Sequence, residues 1–391
     1  MPWVSAHVRL RYPVSVGFGG DSTYEYVKVL CFVFIAALAT IVWSVIDRKR
    51  VAYTRLNQCV RFYVRLVVAY TMIGFGTLKV IPVQAPFPDL VTLMQPFGDL
   101  GANRIFWTFL GTSAGYMVFA GLVETLGGVL LLIPGMTTLG ALVSLGALVA
   151  VFTQSGFYGV PVVLGVAHLI LLALFLVLPD LRRLINLFVL NRVADPQPRP
   201  PLLRRRWANY SLWGIQWGLG IYLIAMMLSR GLTETRLRSS VPVTTPLYGL
   251  WKVNEFTANG QVHPPILTDN LRWQRVIFDS DTRLSPRMIA TIQDMDGQFC
   301  PYVATLDKNT STLSLSSPSK TELIEFQLLI HTQVGGQGSA QLNYNRLSPD
   351  AMILEGLMNG NRFRVTLKKE ERQFALKTLG FHWITDKDVA Y

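Results

Sequence analysis

The stretch "AYTMIGFGTLKVIPVQAPFPD" at residues 69–89 decides how the chain is read. Apolar and small residues run up to it, and then a lysine, Lys79, stands three residues before Pro82. A helix of about 20 such residues crosses a hydrocarbon core about 30 Å thick. A lysine within that run either lets its ammonium reach the outer headgroups on an alkyl stem lying in lipid or turns inward toward a partner. Five other stretches share this length and character, so six spans are expected, at about 27–46, 62–82, 114–133, 136–153, 160–178 and 212–229. Pro134-Gly135 makes the turn between the third and fourth, and Pro179-Asp180 ends the fifth. The clustered prolines of "VADPQPRPP" (193–201) cannot continue a helix, and residues 193–206 read as a Pro/Arg-rich linker.

Composition supports the division. Of 391 residues 51% are hydrophobic and only 15% charged, against about 25% in soluble domains. The deficit falls on residues 27–230; residues 231–391 have an ordinary polar balance. The net charge of +12 could suggest a nucleic acid, but the basic clusters "DRKR" (47–50) and "RRR" (204–206) flank apolar spans, where such clusters orient helices. A lipid bilayer is the expected partner and nucleic acid is not. The loop between spans one and two carries Arg48, Lys49, Arg50, Arg55 and Arg61; that between five and six carries Arg182, Arg183, Arg192, Arg199 and Arg204 to Arg206. The 2–3 loop has only Arg104 and the 4–5 loop none. Both basic loops fall on one side if all six spans are real. Residues 1–26 and the C-terminal domain are then expected outside, which for a bacterial inner membrane means the periplasm or the cell exterior. One false span would put that domain in the cytoplasm. The aromatic, proline-rich 2–3 loop is expected to lie along the outer interface.

Three ionisable side chains in the spans are candidate site residues: Lys79, Glu124 and His168. At 1.5 Å per residue, Glu124 lies about 15 Å and His168 about 12 Å into their spans, and Lys79 only about 5 Å below its outer end. Direct contact between Lys79 and Glu124 would then need helix tilt or a bridging water. For Glu124 a neutral carboxyl bonded to a neighbouring helix stands beside a proton-handling or ligand-binding carboxylate; for His168 a structural hydrogen bond stands beside function. Gly74 and Gly76 follow no strand, so "GFG" is a helix-contact feature and not a phosphate loop. Cys31, Cys59 and Cys300 are far apart, and neither a disulfide framework nor a metal site is readable. There is no nucleophile–base pair and no nucleotide loop, so no catalytic motif is evident.

Residues 241–391 read as short strands separated by turns: "YGLWKVNEF" (248–256), "WQRVIFD" (273–279), "RMIATIQDM" (287–295), "STLSLS" (311–316), "IEFQLLIH" (324–331), "AQLNYNRL" (340–347), "MILEGLM" (352–358) and "FRVTLKK" (363–369). Phe363, Val365 and Leu367 alternate with Arg362, Arg364, Thr366 and Lys368, the period of a half-buried strand. Hairpin spacing favours an all-β antiparallel, barrel-like domain. "GLWKV" is similar to the Gly-x-Trp opening of lipocalin-type barrels. Such a barrel is either filled by its own side chains or holds one small ligand. His263, His331 and His382 have no metal-site spacing.

Residues about 60–192 resemble the DoxX-like family of bacterial membrane proteins. The matching pieces are "RFYVRLVVAYTMIGFGTLKVIPVQAPFP", "FGDLG" with "FWTFLGTSAGYMVFAGLVETLGGVLLL", "TTLGALVSLGALVAVF" and "VAHLILLALFLVLPDLRRL". Longer members also carry segments similar to "GGDSTYEYV" (19–27), "WSVIDRKR" and "LEGLMNGNRFRVTLKK" with "GFHWI". The resemblance implies a four-helix core within the spans and a redox- or quinol-linked accessory subunit. A quinone is the cofactor it allows, and a membrane or redox protein the partner. The chain departs where relatives show Tyr-Asp-Val-Pro-Val-Lys: in "YGVPVV" (158–163) Gly159 and Val163 replace both charged residues. Relatives also tend to have a further helix before the position of "PWVSAH", which is here lost or cut off. Two other expectations stand beside the accessory subunit: a non-enzymatic envelope protein whose β-domain binds a lipophilic ligand or a partner protein, and a small-molecule transporter.

Overall fold

A computed structural model describes residues 20–50, 52–193, 205–240, 246–281, 287–307, 309–319 and 338–378. The linker at 194–204, the expected strand at 324–331, His331, His382 and the "GFHWI" segment lie outside the described residues. The helices are α1 (Thr23–Ile46), α2 (Thr54–Val80), α3 (Leu90–Met94), α4 (Ala102–Thr112), α5 (Ala114–Leu132), α6 (Thr137–Tyr158), α7 (Val163–Val177), α8 (Leu181–Phe188), α9 (Arg206–Ser240) and α10 (Ala375–Thr378). Six of the helical stretches are long and apolar enough to cross a membrane, and they correspond to the six expected spans. The chain divides into two compact units: residues 1–84 with 113–232, and residues 85–112 with 233–391.

In the helical unit, α2, α5, α6 and α7 pack around Val68, Ala69, Met72, Ile73, Leu131, Ala141, Ala173 and Leu176, all nearly or wholly buried. Alkane-like lipid supplies no hydrophobic drive between such helices, so close packing must hold them. Glycines permit it. A Cβ on Gly121 would stand 2.5 Å from the Gly76 carbonyl, and one on Gly128 2.8 Å from that of Ala69, so α2 and α5 touch backbone to backbone. The segment before α1 is fixed by Asp21, whose carboxylate accepts the N–H groups of Val163 and Leu164 at 2.7 Å each and so caps α7.

The second unit is an antiparallel barrel. Strands β1 (Gly249–Ala258), β3 (Trp273–Asp281), β4 (Arg287–Asp294), β5 (Phe299–Asp307), β6 (Thr312–Ser316), β7 (Ser339–Ser348), β8 (Ala351–Met358) and β9 (Asn361–Glu370) pair in sequence order. Pairing of β1 with β9 closes the ring, and the two-residue β2 (Gln261–Val262) extends β1. The Asn259-Gly260 and Asn359-Gly360 turns both take left-handed φ, as tight hairpins require. They meet side by side, with the Asn259 side chain donating to Asn361 and accepting from the Arg362 N–H. The interior is filled by the chain's own side chains, among them Trp251, Phe256, Phe278, Leu313, Leu342 and Met352 at 0–1% exposure. The Trp251 indole donates to the Leu247 carbonyl at 2.7 Å.

The sequence reading missed β5, because Pro301 and Cys300 interrupt its pattern and Pro demotes a strand. Residues 85–112, the 2–3 loop, lie on the barrel's outer wall, where Leu90 and Val91 cover Leu250, Ile277, Ile289 and Phe299; the sequence reading did not foresee this packing. Asp89 caps α3 through the Thr92 N–H at 2.7 Å, and its other oxygen pairs with buried Arg104 at 2.8 Å. The Leu90 N–H donates to Asp279 at 2.8 Å. This strap and the barrel belong to one compact unit.

Candidate buried polar site

Two of the three candidate residues meet. Lys79, in the last turn of α2, places Nζ 2.5 Å from Oε1 of Glu124, midway along α5. Both are enclosed, at 8% and 5% exposure. Lys79 therefore does not extend into the headgroups, as one reading allowed. Nor are the two side chains separated by about 10 Å along the membrane normal. The error lay in treating the ends of two hydropathy runs as one plane. The Gly76–Gly121 contact sets the true register, and the first seven residues of α5 run past the end of α2 by about 10 Å. The Lys79 Cβ lies against Gly121, where any larger residue would push the helices apart.

Glu124 is half satisfied. Its Oε2 is buried and has no hydrogen-bond partner among the described residues. A buried charged oxygen without a partner is costly, so this atom is a place where a donor would be held. His168 is not part of the site. It is exposed on the surface of α7, and its Nδ1–H donates to the Leu164 carbonyl of its own helix at 2.7 Å. This is the structural hydrogen bond that one reading allowed.

A second polar group at the other end of α2 escaped the sequence reading. Arg65 donates to Gln216 Oε1 of α9 at 2.5 Å, and Gln216 in turn bonds the Leu132 carbonyl that ends α5. Gln216 is 1% exposed and ties the sixth span to the bundle. Asp180 accepts from Thr138 and, at 3.2 Å, from Arg183. The signals were present: a cation one turn into the 62–82 run, and a glutamine among the glycines of "WGIQWGLG". Between the two polar groups, Val68, Ala69, Met72 and Ile73 form a closely packed apolar layer.

Among the described residues no group of three His, Cys, Asp or Glu side chains is placed to hold a metal ion. In the barrel, burial and then the charges of Asp294 and Asp296 push the Cys300 thiol up to about 11. It stays protonated and is a poor nucleophile.

No family model matches the chain. A crystal structure of an uncharacterized protein from Bacteroides eggerthii DSM 20697 aligns at 12% identity over 32% of this chain and 98% of that one, with a TM-score of 0.19. Uncharacterized protein YwoB of Bacillus subtilis (strain 168) is 30% identical over 138 residues, which are 34% of this chain and 88% of that protein. Over that third of its length, the chain belongs to the same family as YwoB.

Proposed function

We propose that this chain is an accessory subunit of redox- or quinol-linked chemistry in a bacterial inner membrane, with the barrel and its strap on the extracytoplasmic side. The basic loops at 47–61 and 182–206 support that sidedness, and the DoxX-like resemblance supports the redox link. The observation that carries the reading is the enclosed Lys79–Glu124 pair with Oε2 of Glu124 left without a partner. An ionised pair inside a membrane bundle marks functional sites more often than structural ones. A quinol would supply electrons and a hydroxyl proton. In this chain Glu124 Oε2 would accept the hydroxyl's hydrogen bond, and Lys79 would hold the carboxylate in position and offset its charge. The test is Glu124→Gln in native membranes: reduced quinol-dependent electron flow or loss of a co-purifying partner supports the proposal, and no change in either removes it.

A second reading is favoured by one observation on the barrel. Val262 at the end of β2 and Ile266, Leu267 and Leu271 in the loop after it are exposed, at 74, 52, 73 and 44%. It is held firmly: Asp269 accepts from His263 Nδ1 at 2.7 Å and from the Leu271 N–H at 2.9 Å, and buried Arg272 binds the carbonyl of His263. A rigid apolar loop on the barrel's surface suits a partner protein. Replacing Ile266 and Leu267 with Ser would abolish recovery of that partner on this reading; undiminished recovery would exclude it.

A further inference from the structure

We propose that α8 is an interfacial helix that holds the phosphate groups of anionic phospholipids in the leaflet facing the basic loops. The helix follows a sharp break. The fifth span ends at Val177, a 3₁₀ turn covers Leu178–Asp180, and α8 begins at Leu181. Buried Asp180 fixes this corner by accepting from Thr138 of α6 and Arg183 of α8. Within α8, Leu181, Leu184, Ile185 and Phe188 recur at the spacing of one helical face, while Arg182, Arg183 and Asn186 occupy the other, with exposed Leu187 beside Arg183.

The apolar face is only partly used by the protein. Leu184 packs against the bundle core, but Leu181, Ile185 and Phe188 are exposed, Phe188 at 76%. These side chains continue the lipid-facing surface of the apolar span α7 past its end, so acyl chains are the surroundings that match them. The polar face gains a third cation from a chain reversal. Asn191 takes a left-handed φ of 48°, and the Arg192 N–H returns to the Asn186 carbonyl at 2.8 Å. Arg182, Arg183 and Arg192 thus gather beside one short helix, and among the described residues Asp180 pairs with Arg183. The guanidinium of Arg61 donates to the Leu176 carbonyl at 3.0 Å and adds a fourth cation at the same end of the span. Arginines above exposed apolar side chains are the complement of a phosphate above acyl chains.

Near a membrane surface each such arginine is worth about a fivefold preference for anionic lipid. The test uses the full chain in mild detergent, with dioleoyl phosphatidylglycerol and dioleoyl phosphatidylcholine added in equal amounts and retained lipid read by native mass spectrometry. Wild-type protein retains the phosphatidylglycerol preferentially. The Arg182→Gln/Arg192→Gln variant, which leaves the Arg183–Asp180 bond intact, loses that preference by roughly 20-fold, and the corresponding double Lys variant keeps most of it. In wild-type protein the preference also falls as ionic strength rises toward 1 M. Equal retention of the two lipids by wild-type protein, an unchanged preference in the Gln variant, or displacement of phosphatidylglycerol by millimolar inorganic phosphate would each overturn the assignment.

Discussion

Lys79 Nζ lies 2.5 Å from Glu124 Oε1 because Gly76 and Gly121 bring the backbones of their two helices into contact. The small residues set the register and the register makes the pair. Helix approach and ionic contact are therefore one feature, and they can be separated by substitution.

Removing one partner strands a buried charge. Lys79→Met should cost about 3 kcal/mol or more of bundle stability. The double variant Lys79→Met/Glu124→Leu should recover most of that loss, since a well-packed apolar pair often replaces a buried ionic one without penalty. Thermal unfolding in detergent measures both, and a double variant no more stable than the single one would contradict the account.

Gly121→Leu acts on the same site through packing alone. The added side chain meets the Gly76 carbonyl and the Lys79 Cβ. Overpacking of this kind costs about 1–3 kcal/mol. By contrast Gly146→Ala, where an added Cβ meets nothing, should leave the melting temperature almost unchanged.

The strap is held by few polar contacts, so it should loosen before the barrel does. Arg104→Met removes the Arg104–Asp89 ion pair and should weaken the attachment by about 1.5–3 kcal/mol. Hydrogen exchange should then quicken at Leu90 to Thr92 while the β1–β9 seam stays protected. Equal quickening at both would mean that the strap and barrel open as one unit.

The barrel should also report a titration. Burial, then the neighbouring Asp296, pushes the Asp294 carboxyl up to about 6. The folded barrel thus binds this proton more tightly than the unfolded chain, whose carboxyl titrates near 4. The stabilisation is complete below about pH 4 and is lost as pH rises through 6. Asp294→Asn should flatten the stability profile between those values, and an unaltered slope would assign the dependence elsewhere.

The architecture was largely legible in the sequence because lipid imposes length and hydropathy, and a barrel imposes alternation and turns. Phe363, Val365 and Leu367 point inward as their spacing requires. The misreadings have a common physical origin: local patterns do not encode register between distant segments. Depth counted from each span's own end kept Lys79 and Glu124 apart, while the glycine contact joins them. His168 looked equivalent to Glu124 by depth, but depth says nothing about which face of α7 it occupies. Arg65 and Gln216 were not singled out, since they acquire meaning only as a pair 151 residues apart. The strap's packing on the barrel was not legible, because the outer wall of a barrel selects the same apolar residues as a membrane interface does.

The central claim is that the buried pair does chemistry and does not merely hold α2 against α5. The most direct measurement is quinol-dependent electron flow in membranes where Lys79→Met/Glu124→Leu protein, shown to melt like wild type, replaces the native chain. The account predicts a loss of roughly 100-fold or more, the scale of a missing proton-transfer group; wild-type flow through a bundle that lacks both charges would contradict it.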